Sequence, residues 1–104
     1  MASFSIGAID DVIHGRLRLG IMAYLASAEV ADFNELKAAL ETTQGNLSVH
    51  LRKLEEAGFI AIEKSFLNRK SLTRARLTRA GRKAFAGYID ALSTLLNEAP
   101  KSSR

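Results

Sequence analysis

Few side chains in this 104-residue sequence could carry catalysis. There is no cysteine, which excludes thiolate nucleophiles, thiolate metal sites and disulfides. The two histidines, His14 and His50, fall in different predicted helices, without a cysteine to complete a transition-metal set. The neighbouring carboxylates Asp10/Asp11 and Glu55/Glu56 point in different directions on a helix and form no acid–base pair. No phosphate-cradling glycine loop or nucleophile–base motif is present. The chemistry that remains is charge. From Thr43 to Lys83, ten basic residues stand against three acids, a local +7 in a chain of net charge +4, so the rest carries −3. One basic half suits a polyanion such as nucleic acid, although a basic stretch is often only a solvated face.

The segment 43–60, TQGNLSVHLRKLEEAGFI, holds the second unusual feature. Leu47, Leu51 and Leu54 recur at helical spacing and predict a buried stripe, with Gly58 just past the helix end. At 100° per residue, the face opposite the stripe comprises Gly45, Val49, Arg52 and Glu56, flanked by Asn46 and Lys53. Solvent therefore meets a face that is small and polar at one end and basic further on. A glycine there costs about 1 kcal/mol against alanine.

Other elements must hold this helix in place. Apolar spacing through Ile9, Val12, Ile13, Leu17, Ile21, Tyr24 and Leu25 predicts a first helix over about 10–26, with Gly15 and Gly20 inside it and 27–31 as a loop. Asp32-Phe33-Asn34-Glu35 has capping-box spacing and opens a short second helix, with Phe33, Leu36 and Leu40 inward. Either Thr42 or Thr43 can cap the third helix. Residues 59–64 read as a strand, 65–71 as a turn with Asn68 suited to a left-handed position, and 72–77 as a returning strand. Thr78 opens a last helix over about 79–96, and a loose tail starts at Pro100. The length fits one domain. The start, MASFSIGAIDD, lacks a signal-peptide pattern, and no apolar run approaches the roughly 18 residues of a membrane span, so a cytoplasmic protein is expected.

The order helix, helix, helix, hairpin, helix resembles the winged helix-turn-helix fold, and specifically the MarR/ArsR-like transcriptional regulators. The residues that carry the resemblance are RLRLGIMAYL (16–25), FNELKAAL (33–40), TQGNLSVHLRKLEEAGFI and RLTRAGRKAF (76–85). Leu77-Thr78-Arg79-Ala80-Gly81 matches that family's L-T-x-x-G entry to its final helix. It implies a mainly α fold with a small β-hairpin, one domain with a core at about 10–77 and an added C-terminal dimerisation helix. It also implies that the third helix lies in the major groove of double-stranded DNA, with bases read near its N-terminal end. Thr43, Gln44, Gly45, Asn46, Ser48, Val49 and Arg52 would then approach or read bases. Lys53, together with Asn68, Arg69, Lys70 and Arg74 of the hairpin wing, would anchor phosphates. The metal-sensing branch of the ArsR-like proteins carries a cysteine motif absent here, so neither metal nor other cofactor is expected.

Plainer readings attach to several of these residues. Arg74 and Arg76 are the kind of exposed charge that deters strand-edge pairing. Arg79, Arg82 and Lys83 oppose the dipole at a helix start, which hints at a partner anion, but solvation accounts for them better than specific contacts do. His50 borders the buried stripe and is expected to be packed and hydrogen-bonded. The last helix and the N-terminal segment present more apolar surface than a small core needs: Ile6, Ile9, Phe85, Tyr88, Ile89, Leu92, Leu95 and Leu96, with Phe4 beside them. These residues are expected to form a homodimer. The expected function is sequence-specific DNA-binding regulation, as a repressor, by a non-enzyme. The alternative is a winged-helix module that binds protein instead of DNA. A small-molecule effector is compatible with the first reading, in a pocket between the terminal helices and the DNA-binding part.

Overall fold

The computed structural model describes residues 5–98. Phe4 and the tail from Pro100 lie outside them. A 3₁₀ turn at Ile6–Ala8 precedes α1 (Arg16–Ala28), β1 (Val30–Asp32), α2 (Phe33–Ala39), α3 (Gln44–Glu56), β2 (Ile60–Leu67), β3 (Lys70–Leu77) and α4 (Arg79–Glu98). The strands form one antiparallel sheet in the order β1-β3-β2.

α1 begins six residues later than its apolar spacing suggests, and the cause is one side chain. Asp10 Oδ1 accepts hydrogen bonds from the backbone N–H groups of Val12 (2.8 Å) and Ile13 (3.1 Å). This local bonding holds the segment in a turn in place of a helix. Ile9 and Ile13 still reach the core, which is why the spacing looked helical. Gly15 is therefore the extended N-cap residue and not a helix-interior glycine. Gly20 does lie inside α1, where a Cβ would come within 2.9 Å of a methyl of Leu40 at the end of α2.

The expected loop at 27–31 contains the end of α1 and most of a short strand. β1 pairs with β3 at Val30↔Arg76, Ala31↔Ala75 and Asp32↔Arg74, and Ala31 and Ala75 are both buried. Asp32 then starts α2 with a complete capping box: its carboxylate accepts from Glu35 N at 2.8 Å, and Glu35 Oε1 accepts from Asp32 N. The other Glu35 oxygen accepts from Tyr24 OH at 2.6 Å, tying α2 to α1. That bond to a carboxylate raises the Tyr24 pKa.

Thr43 caps α3 by accepting from Asn46 N at 3.1 Å. Leu47, Leu51 and Leu54 are buried, as their spacing required. Each contributes about 1.5–3 kcal/mol against exposure. α3 ends in a Schellman motif. Phe59 N bonds Leu54 O, Gly58 N bonds Glu55 O, and Gly58 takes a φ of 82°. The hairpin is longer and its turn tighter than the sequence suggested. The register closes at Leu67↔Lys70, leaving Asn68 (φ 52°) and Arg69 (φ 68°) as the two central residues of a primed turn. Thr78 Oγ1 accepts from Gly81 N and donates to Gly58 O, fastening the start of α4 to the end of α3. Gly81 is buried there because its backbone lies against the Phe59 carbonyl.

Candidate nucleic-acid interface

Two frames set the position of α3. Its inward leucines meet Ile21, Met22, Leu25 and Leu36 in a continuous core. On its flank, Arg18 of α1 bonds Nδ1 of His50 through Nη1 at 2.9 Å and the Val12 carbonyl through Nε. An arginine donates only, so His50 Nδ1 is the acceptor and the imidazole is neutral. Burial lowers the His50 pKa, and the charges of Arg18 and Lys53 lower it further. His50 is thus a packed, bonded residue, as expected. Arg18 was not singled out from the sequence, because a cation within RLRLG carries no local sign of a partner on another helix. His14 is engaged elsewhere, with Nδ1 2.9 Å from Tyr88 OH. Among the described residues, no group of acidic, histidine or cysteine side chains could hold a metal.

The outward side of α3 holds the sequence-predicted set as a contiguous surface. Thr43, Gln44, Gly45, Asn46, Val49, Arg52 and Lys53 are exposed, and Ser48 is half-buried. Apart from the neighbouring backbone of its own helix, nothing lies within 4 Å of where a Gly45 Cβ would stand, so another molecule could approach the bare backbone there. Thr43 spends one oxygen lone pair on the cap, which leaves its hydroxyl proton free to point outward.

Strand parity decides which hairpin residues join this surface. Cross-strand partners share a face. Ile60, Ile62, Ala75 and Leu77 lie on the core face. By the same alternation Lys64, Phe66, Ser71 and Thr73 continue that face outward, beyond the core. Lys64, Ser71 and Thr73 accordingly line a groove of about 390 Å³ with Gln44, Ser48 and Arg52 of α3, and with Asp32, Phe33 and Asn34 at the start of α2. Lys64, Asn34, Ser71 and Thr73 were missed from sequence. The signal for Lys64 was its place two residues after the inward Ile62.

The remaining hairpin residues divide. Asn68, Arg69 and Lys70 are exposed at the tip. Arg74, out of phase with Thr73, is not among the residues lining the groove, and its register partners are Asp32 on one side and Glu63 on the other. The structure does not bring it together with α3. Arg79, Arg82 and Lys83 begin α4 at the base of the sheet, at the end away from the hairpin tip.

The residues expected at a dimer interface also divide. Ile9 and Tyr88 are buried within the chain itself, at 8% and 2% exposure, and so have no surface left for a partner. Phe85, Leu92 and Leu95 are half-buried against the core, while Ile6, Ile89 and Leu96 are exposed.

Residues 17–96 match the winged helix DNA-binding domain family. An uncharacterized protein of Methanocaldococcus jannaschii is 41% identical over 78 residues, covering 75% of this chain and 85% of its own length. A transcriptional regulator homologue from Pyrococcus horikoshii superposes with a TM-score of 0.78 at 28% identity, over 83% of this chain and 85% of that one. A MarR family regulator from Silicibacter pomeroyi shares the fold, with a TM-score of 0.60 at 21% identity over 83% of this chain and 55% of that one. The matched family is defined by DNA binding and not by catalysis. With α3 and the hairpin framing one open polar groove, the chain belongs to the winged helix DNA-binding domains.

Proposed function

We propose that this protein is a homodimeric transcriptional repressor that binds double-stranded DNA sequence-specifically in the cytoplasm. The observation that carries the reading is the groove shared by α3 and the hairpin, lined by Gln44, Ser48 and Arg52 on one wall and by Lys64, Ser71 and Thr73 on the other, with Gly45 and Asn46 exposed on the same helix. α3 enters the major groove; Gln44 and Asn46 pair with base edges, for which amides suit adenine N6 and N7. Arg52 and Lys53 reach a guanine edge or the backbone. Asn68, Arg69, Lys70 and Lys64 hold phosphates, and Arg74 contributes less because acids flank it.

Support for the dimer is the apolar surface of α4 that the chain leaves uncovered, with Ile89 at 47% and Leu96 at 68% exposure, and Ile6 beside it at 67%. A two-fold pair would set two α3 helices on half-sites about one helical turn apart, roughly 34–36 Å. Repression by occlusion needs no surface beyond these two. An effector would act from the cleft of about 380 Å³ between the Ile6–Ala8 turn and α4, where it would shift the dimer geometry. Among the described residues no helix is long and apolar enough to cross a membrane.

The test is selection from a random duplex library at near-physiological salt. A retained motif with two-fold symmetry is the expected result. Retention without any motif would refute sequence specificity, and no retention would favour a protein-binding module.

A further inference from the structure

The hairpin tip carries an apolar pair where polar residues would be expected. Phe66 is 79% exposed and Leu67 58%. Single exposed hydrophobics need no explanation. These two are adjacent, at the outer end of the edge strand β2, where exposed apolar side chains invite unwanted pairing. Their setting is strongly basic: from Lys64 to Lys70 there are three cations and no acid. Strand parity separates the pair. Phe66 shares its face with Lys64, Ser71 and Thr73, which line the groove opposite α3, while Leu67 lies on the other face with Lys70.

Resting on the DNA-binding reading above, we propose that Phe66 is a wedge that enters the minor groove beside the α3 footprint and parts a base step. A duplex seated on α3 presents its backbone to the groove wall formed by Lys64 and Thr73. The next position outward on that wall is Phe66. Lys64 on one side and Arg69 at the turn on the other supply the phosphate contacts that hold such a side chain against the duplex. Apolar wedges act in this way, and the bend they cause wraps more DNA against the protein. The cost is smallest at pyrimidine–purine steps, so the wedge adds sequence preference at a position where no hydrogen bond reads a base. A second copy of the tip is a poor occupant, because two tips each bearing Lys64, Arg69 and Lys70 repel one another.

The chain contains no tryptophan, so Phe66→Trp places a lone reporter at the tip, and Leu67→Trp places one on the opposite face. Binding is followed separately by the anisotropy of a labelled random-sequence duplex, and folding by circular dichroism. On saturation with duplex, the Phe66→Trp emission is expected to be strongly quenched by base stacking, and the Leu67→Trp emission much less. Phe66→Ala, at so exposed a site, keeps the fold and weakens duplex binding by roughly fivefold to a hundredfold, the span of one base–aromatic stack. Leu67→Ala changes it little. Unchanged Phe66→Trp emission at full duplex occupancy, with Phe66→Ala binding like the native chain, would overturn the wedge and leave the DNA reading standing. Failure of the native chain to bind duplex would overturn both. A blue shift of Phe66→Trp on phosphatidylserine vesicles, without quenching by duplex, would overturn the wedge in favour of a membrane contact.

Discussion

Replacing Gly81 by alanine tests how closely the start of α4 is held against the end of α3. The added Cβ would stand 1.9 Å from the Phe59 carbonyl oxygen and 2.8 Å from its carbon. Carbon–oxygen contacts ordinarily begin near 3.3 Å, so the helix start must withdraw by about 1 Å or more. The obstacle is backbone and cannot rotate away. Withdrawal pulls on three bonds at once: Thr78 Oγ1 to Gly58 O (2.6 Å), Thr78 N to Phe59 O (3.0 Å) and Gly81 N to Thr78 Oγ1 (2.9 Å). Overpacking costs about 1–3 kcal/mol, and losing two of the bonds about 1–3 kcal/mol more. The better helix propensity of alanine returns up to about 1 kcal/mol. The net loss is about 3 kcal/mol, which lowers the Tm of a domain this size by about 12–24 °C. Gly45→Ala is the matched control, because open space surrounds its Cβ position. It should hold or raise Tm, while weakening duplex binding by placing a methyl group between backbone and DNA. Thermal melts followed by circular dichroism, at one fixed protein concentration, measure both. A Gly81→Ala melt within about 4 °C of the native chain, corresponding to less than about 1 kcal/mol, would refute the reasoning.

Acid should destabilise the fold through His50. Its folded pKa is lowered, so the unfolded chain takes up the proton first: stability is full above the unfolded value of about 6.5 and falls as pH drops below it toward the folded pKa. Urea titrations at pH 7.5 and 5.5 should show that loss shrinking in His50→Gln, and an unchanged loss would count against the Arg18–His50 pairing. The double substitution Ile89→Glu and Leu96→Glu, at exposed positions, should convert a dimer to folded monomer in sedimentation velocity. A native chain already monomeric at tens of micromolar would sink the dimer proposal.

Local punctuation made most of the fold readable. The Asp32–Glu35 capping box, the Thr78 cap and the left-handed Gly58 all act within a few residues of where they stand, and each appears in the structure as read, while of the two threonines open to cap α3 it is Thr43 that does so. What escaped depended on partners distant in sequence, or on a side chain that overrode the pattern. Asp10 captured the backbone of Val12 and Ile13 and kept an apparently helical segment in a turn. β1 has three residues and exists because β3 lies beside it. β2 beyond Ile62 is exposed on both faces, so no alternation marks it, and in the sequence Lys64 reads as a strand end and Phe66 as part of the turn. The face of α3 was readable because one leucine stripe determines its opposite side. Which hairpin residues confront it depends on register, and that depends on the two-residue turn at Asn68 and Arg69.

The central claim is that α3 reads bases while the hairpin holds the backbone. The most direct test compares Asn46→Ala and Arg69→Ala on the selected duplex and on single-base variants of it, across a range of salt. Arg69→Ala should weaken binding to every duplex alike and lower the salt slope by about one ion. Asn46→Ala should leave the slope unchanged, cost about 1–3 kcal/mol on the selected duplex and relax preference at one base pair. Equal effects of the two substitutions on matched and mismatched duplexes would contradict the account.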